Sequence, residues 1–216
     1  MKNIFIVKKK IKPFNKILKI EGDKSLSIRW ALLASQASGK SIATNILKSE
    51  DVKSTLGCLS KLGVKVKLLK NKCIIIGMGI NGYKYKKNTI LNAGNSGTLA
   101  RLIMGLLVHS KSPVKIIGDK SLSKRDFLRI TEPLEKFGAK FKTNYGKLPI
   151  LIHGTKYPKP IKYLEKKGSA QCKSAVMLAA LNTPGQTVIK AKKSRNHSEL
   201  IFKYLKLNTK IYKDHT

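Results

Sequence analysis

Three glycine-containing loops, around Gly22, Gly94 and Gly168, each open an apolar helix and recur at a spacing of roughly 70 to 75 residues. A repeat of that length is a whole supersecondary unit, so the chain is constrained to fold as copies of one motif. After its loop each unit reads helix, strand, helix, strand, strand. In the first unit the pattern predicts a helix over 30–38 stopped by Gly39, a strand over 41–47 and a helix capped by Asp51. Val52, Leu56, Leu59 and Leu62 share one face of that second helix, which ends at Gly63 before strands over 64–69 and 72–76. The second unit repeats this order: the loop Gly94-Asn95-Ser96-Gly97-Thr98, an apolar helix, a strand over 114–117, a second loop over 118–125, a helix over 127–137, and strands over 140–143 and 150–152.

The third unit opens at Gly168-Ser169-Ala170-Gln171. A helix over 172–181, a strand over 187–191, a helix over 198–207 and a strand over 210–213 follow. It stops one strand early, which predicts an open sheet edge at 210–213 and a truncated chain. Residues 1–20 alternate loosely between apolar side chains and lysines, with Pro13 interrupting, and read as one or two edge strands.

Three loop-to-helix junctions carrying Ser, Asn, Gln or Lys imply three helix N-termini converging on one site. Unpaired N–H groups and the helix dipole favour an anion there. The fullest such stretch is Gly22-Asp23-Lys24-Ser25-Leu26-Ser27-Ile28-Arg29, where Lys24 would be a point charge and Arg29 a two-pronged donor. The plain structural alternative is a capped helix start with solvated charges.

A net charge of +34, from 45 Lys and Arg against 11 Asp and Glu, first suggests nucleic acid as the anion. The distribution argues against a specific nucleic-acid partner. Only Arg29, Arg101, Arg125, Arg129 and Arg195 are arginine, the lysines are scattered over every segment, and aromatic residues make up 6%. Base readers favour arginine forks and stacking platforms. Cys58, Cys73 and Cys172 lie far apart, in no metal-ligand spacing, and read as reduced, mostly buried thiols. His109, His153, His197 and His215 form no pattern of a triad or metal site. Lys8 ends the first apolar run too early for a signal peptide, and no run reaches the length of a membrane span, so a cytoplasmic protein with no membrane partner is expected.

Five motifs in order resemble the 3-phosphoshikimate 1-carboxyvinyltransferase (EPSP synthase) family: Gly22-Asp23-Lys24-Ser25 with Arg29; Gly94-Asn95-Ser96-Gly97-Thr98 with Arg101; Gly118-Asp119-Lys120-Ser121-Leu122-Ser123-Lys124-Arg125; Ser169-Ala170-Gln171 with Lys173-Ser174-Ala175; and Ser194-Arg195-Asn196-His197-Ser198-Glu199. The resemblance implies an α/β fold in which three βαβαββ units form one domain of a two-domain enolpyruvyl transferase, incomplete at the C-terminus. Residues 21–216 would be the three-repeat substrate-binding domain, and residues 1–20 strands that join a second domain. The implied reaction moves the enolpyruvyl group of phosphoenolpyruvate to the 5-hydroxyl of shikimate 3-phosphate, in the shikimate pathway, with no metal or organic cofactor.

By the same resemblance Lys24, Ser25 and Arg29 would bind shikimate 3-phosphate, with Lys24 also touching phosphoenolpyruvate as the catalytic residue. Gly97 and Arg125 would line the phosphoenolpyruvate pocket. Ser169, Ala170 and Gln171 would hold the shikimate ligand, and Arg195 a phosphate. Two departures follow. Asn196 stands where one branch of the family has aspartate, and the acidic general base and donor-clamping arginines of the second domain have no counterpart before Thr216, so catalysis would need that domain. The related UDP-N-acetylglucosamine enolpyruvyl transferase is the nearest rival, but its loop cysteine is absent from residues 118–125.

Overall fold

The computed structural model describes residues 6 and 8–212. Helix α1 (Lys24–Gln36), strand β1 (Ser38–Thr44), helix α2 (Glu50–Lys61) and strands β2 (Lys65–Leu68) and β3 (Lys72–Met78) make the first unit. The second runs β4 (Thr89–Asn92), α3 (Gly97–Leu107), β5 (Val114–Ile117), α4 (Leu128–Glu135), β6 (Lys140–Asn144) and β7 (Lys147–His153), with a 3-10 turn at Leu122–Lys124. The third contains β8 (Lys162–Glu165), α5 (Ala170–Leu181), β9 (Val188–Ala191) and α6 (His197–Tyr204).

The sheets show what the units share. In the second, strands lie in the order β4-β5-β7-β6, with β4 and β5 parallel across the α3 crossover and the other pairs antiparallel. The first sheet, β1-β3-β2, repeats the last three positions, and the parallel pair β8-β9 repeats the first two. The second unit is thus a full βαβαββ, whereas among the described residues the first has no leading strand and the third no closing hairpin.

Alternation holds the sheets to the core. In β7, Leu148, Ile150 and Ile152 point inward, and Ile150 and Ile152 pair with Ile116 and Val114 of β5. Burying each such side chain stabilises the fold by about 1.5–3 kcal/mol relative to leaving it exposed. The outer sheet faces keep apolar groups in contact with water, including Ile42 and Leu164.

Helices α1, α3 and α5 form the interior. Cys172 to Ala179 of α5 are buried all round, as expected for a helix enclosed by others. These three helices run in one direction. Near their starts, Gln171 Nε2 donates to Thr98 Oγ1 at 3.1 Å and Arg29 Nη2 to Ser174 Oγ at 3.0 Å. Near their ends, Thr183 lies 3.3 Å from His109 Nε2, and Asn182 Nδ2 donates to Gln36 Oε1 at 3.1 Å. All three N-termini therefore share one pole. Gly105 makes the α3–α5 contact close enough that a Cβ on it would fall 2.2 Å from the Ala175 carbonyl oxygen.

Several boundaries differ from the sequence reading. The first helix begins at Lys24 because the Asp23 side chain accepts the Leu26 N–H at 2.7 Å, so Lys24, Ser25 and Arg29 lie on the helix and not in a loop before it. It ends at Gln36, and Gly39, at φ 107°, bends the chain inside β1. Asp51 belongs to the first turn of α2, where Ser49 holds the cap position. Residues 8–20 pair with no strand, and Ile11, Phe14, Ile17, Leu18 and Ile20 are exposed; residues 1–5 and 7 of that expected strand region lie outside the described ones. Lys210 to Tyr212 likewise form no strand, so the expected open edge does not exist among the described residues; Lys213 lies outside them. A strand requires a ladder partner, and among the described residues neither segment has one. The three cysteines are buried and free, and burial pushes the Cys58 thiol up to about 11. Among the described residues no helix is long and apolar enough to cross a membrane.

Candidate functional site

The three interior helices are started in the same way. Asp23, Ser96 and Ser169 each accept, through a side-chain oxygen, the N–H three residues later: Leu26, Leu99 and Cys172. No acidic residue occupies the first turn of α1, α3 or α5, although α2 has Glu50 and Asp51 there and α6 has Glu199. The shared pole therefore keeps the positive ends of three dipoles.

Two arginines tie that pole together. Arg29 is only 4% exposed. Its Nε donates to Ser198 Oγ at 2.8 Å, Nη2 to Ser174 Oγ at 3.0 Å, and Nη1 to the carbonyl and hydroxyl oxygens of Ser25. A guanidinium has five N–H groups, so these four bonds leave one for a ligand. The expected free fork is thus turned inward, where it orients serines of α1, α5 and α6. Burial lowers the Arg29 pKa, while the Glu199 and Asp23 carboxylates oppose that shift.

Arg101 is the second. Its Nη1 donates to Gln171 Oε1 at 3.1 Å and to the Gly97 carbonyl at 3.4 Å, Nη2 donates to the Asp126 carbonyl at 3.3 Å, and its guanidinium carbon lies 4.9 Å from the centre of the Phe127 ring. Burial and the neighbouring Arg125 lower its pKa. Arg125 is exposed and donates from Nη2 to Asn95 Oδ1 at 3.0 Å. Asn95 in turn donates to Asp119 Oδ2 at 2.6 Å. The Leu122 N–H first, and then Asn95, hold the Asp119 carboxyl below the usual carboxylate range.

Around this centre Lys24 is half exposed and pairs with Asp51 at 3.1 Å. Ala170 contributes its carbonyl oxygen, which accepts from Ser174 Oγ at 2.6 Å. Arg195 is exposed; its positive charge bears on Arg29. In the same segment Ser194 Oγ, His197 Nδ1 and Glu199 Oε2 are buried with no hydrogen-bond partner among the described residues. Glu199 Oε1 pairs with Lys173 of α5. Arg29 thus joins Ser25 and, through Ser174, Ala170; Arg101 joins Gly97 to Gln171; Ser169 caps α5 beside them; and Lys24, Arg125 and Arg195 are the more exposed residues around these two sets. Among the described residues no group of three or more His, Cys, Asp or Glu side chains is placed to hold a metal ion.

The family model for EPSP synthase (3-phosphoshikimate 1-carboxyvinyltransferase) matches residues 8–215, nearly the whole chain. The chain belongs to the EPSP synthase family. It is 42% identical over 197 residues to the 3-phosphoshikimate 1-carboxyvinyltransferase of Ruthia magnifica subsp. Calyptogena magnifica, covering 89% of this chain and 45% of the relative. The enzyme of that name from Streptococcus pyogenes serotype M2 is 40% identical over 190 residues, covering 87% and 44%. A solved EPSP synthase from Acinetobacter baumannii superposes with a TM-score of 0.85 at 34% identity, over 90% of this chain and 44% of that one. The chain therefore spans just under half the length of these EPSP synthases, and the α/β architecture is that of one part of them.

Thr98, Arg101, Ser174 and Ser198 stand within the motifs, but only the structure gives them contacts at this pole. For Arg101 and Ser174 the signal is helical spacing, since Gly97 with Arg101 and Ala170 with Ser174 are four residues apart and touch, as do Ser25 and Arg29; Thr98 and Ser198 are reached only across the fold. Gly97 has a further reason to be glycine. A Cβ there would lie 2.7 Å from Arg101 Nη1 and 2.9 Å from Arg125 Nη1. Both are ends of flexible side chains, so Gly97→Ala is expected to fold and to displace the two guanidiniums by roughly 0.5–1 Å, the gap to ordinary contact. A crystal structure of the variant checks this, and unmoved guanidiniums would contradict it.

Proposed function

We propose that this chain forms a substrate-binding domain of a 3-phosphoshikimate 1-carboxyvinyltransferase. The reaction joins the 5-hydroxyl oxygen of shikimate 3-phosphate to the enol carbon of phosphoenolpyruvate; the carbon–oxygen bond to phosphate breaks, and the hydroxyl proton is taken up. Both substrates are polyanions, so bringing them together requires fixed positive charge and N–H donors. The observation that carries this reading is the shared pole of α1, α3 and α5, bare of acidic first-turn residues and knitted by Arg29 and Arg101.

In this reading Lys24, Ser25 and the one free N–H of Arg29 meet shikimate 3-phosphate, together with Ser169, Ala170 and Gln171. Gly97 and Arg125 border phosphoenolpyruvate, and Arg195 faces a phosphate. Lys24 touches both substrates and is the catalytic candidate within this chain, its present pairing with Asp51 being open to exchange because it is half exposed. The unpaired Ser194, His197 and Glu199 atoms beside Arg195 supply further polar contacts. Proton transfer and the clamp on the donor belong to residues outside these 216.

Isothermal titration of the chain with shikimate 3-phosphate is expected to show binding, and none at millimolar ligand to a folded chain would overturn the assignment. With both substrates present, these 216 residues alone are expected to release no phosphate above background. Release at an ordinary enzymatic rate, about 1 per second or faster, would contradict the second statement.

A further inference from the structure

Glu165 stands at the end of β8, outside every motif considered above. Its side chain is 4% exposed, and both of its carboxylate oxygens are used. Oε2 accepts the Ser169 N–H at 2.7 Å; Oε1 accepts the Lys167 N–H at 3.2 Å and Arg129 Nη2, from α4, at 3.3 Å. One buried carboxylate thus closes the five-residue turn 165–169, whose Gly168 has φ 70°. That turn sets the start of α5. Ser169 caps the helix, and Gln171, two residues on, reaches Thr98 and Arg101 of α3.

A buried carboxylate is costly unless its oxygens are satisfied, and here backbone amides and a guanidinium satisfy them. Its placement is informative because a negative charge next to a helix start weakens the attraction of that start for an anion. Electrostatics alone would favour a neutral residue under an anion site. Geometry gives the opposite preference, since only an acceptor with two free oxygens can hold both amides and Arg129.

We infer that Glu165 is the positioning residue for the Ser169-Ala170-Gln171 arm of the site, fixing its backbone so that the arm can grip the sugar phosphate; this rests on the functional reading proposed above. The two influences predict opposite signs for Glu165→Gln, which keeps the shape and removes the charge. If positioning dominates, the Kd for shikimate 3-phosphate rises about tenfold or more, and amide hydrogen exchange over residues 166–172 accelerates in the ligand-free chain. Glu165→Asp keeps the charge but is one methylene too short, and it is expected to loosen binding to a similar degree. Arg129→Gln leaves both amide bonds in place, so its Kd is expected to stay within about threefold of wild type.

Titration of the wild-type chain and these three variants, with exchange on the ligand-free forms, decides the matter. A Glu165→Gln chain that binds as tightly as wild type, or more tightly, overturns the inference while leaving the functional reading intact, and so does unchanged exchange over 166–172. A folded wild-type chain that binds no shikimate 3-phosphate overturns the functional reading and this inference with it.

Discussion

On the proposed function, replacing Arg29 with methionine is expected to weaken binding of shikimate 3-phosphate by about two orders of magnitude or more while leaving a folded chain. Methionine fills much of the same buried space, and the Ser174–Ser198 contact at 2.6 Å survives without the guanidinium. What is lost is the orientation of Ser25, Ser174 and Ser198, together with a buried positive charge beside the shared helix pole. Stability should fall by about 1–2 kcal/mol, since the Ser174 and Ser198 hydroxyls lose a charged partner but keep each other, and Ser25 is partly exposed to water. Arg29→Lys separates the two contributions. A lysine keeps the charge, but one ammonium cannot reproduce planar bonds to serines on three helices. Its affinity is therefore expected to fall nearly as far as that of Arg29→Met. Near-wild-type titration by the lysine variant would show that charge alone matters and that the inward-turned fork does not.

The second large effect is on stability. Alanine at position 105 would place its Cβ 2.2 Å from the Ala175 carbonyl oxygen and 3.2 Å from Leu178 Cβ. Unlike the arginine tips facing Gly97, these are parts of a helix that cannot swing aside, so α3 and α5 must separate. The overpacking cost of about 3 kcal/mol or more exceeds the gain of about 1 kcal/mol in helix propensity from replacing glycine. For a chain of this size the remaining 2 kcal/mol or more corresponds to a fall of about 4–8 °C or more in Tm. A Tm within 2 °C of wild type would mean that the helices are not packed as closely as described.

Much of this architecture is readable from local signals. The three glycine loops mark the units because each needs the same junction between loop and helix, and glycines at helix ends, such as Gly63 at φ 90° and Gly138 at φ 107°, mark their punctuation. The full βαβαββ order appears in the second unit, but β4 and β8 are not legible from local signals, because both precede the glycine loop from which each unit is read and no motif marks them. The strand expected at 210–213 failed for the converse reason. Lys210 to Tyr212 have a suitable pattern, but pattern does not supply a partner.

The candidate site divides in the same way. Contacts four residues apart, such as Ser25 with Arg29, follow from helical spacing once the helix is known to begin at Lys24. The inward turn of Arg29 does not, because Ser174 and Ser198 are 145 and 169 residues away. Glu165 was invisible for a similar reason: nothing in its neighbours distinguishes it from a solvated glutamate until its burial is known.

Three interior helices aligned in one direction repel one another through their dipoles, and the carboxylates at their starts, Asp23 on α1 and Glu165 before α5, are already engaged by backbone N–H groups and leave the α3 start without one. An anionic ligand at that pole would then be part of what stabilises the fold. Binding and folding become thermodynamically linked, with stability gained as RT ln(1 + [L]/Kd), about 2.7 kcal/mol at a ligand concentration one hundred times Kd. On the proposed function, the domain is then less prone to unfold when shikimate 3-phosphate is bound than when its pole is empty.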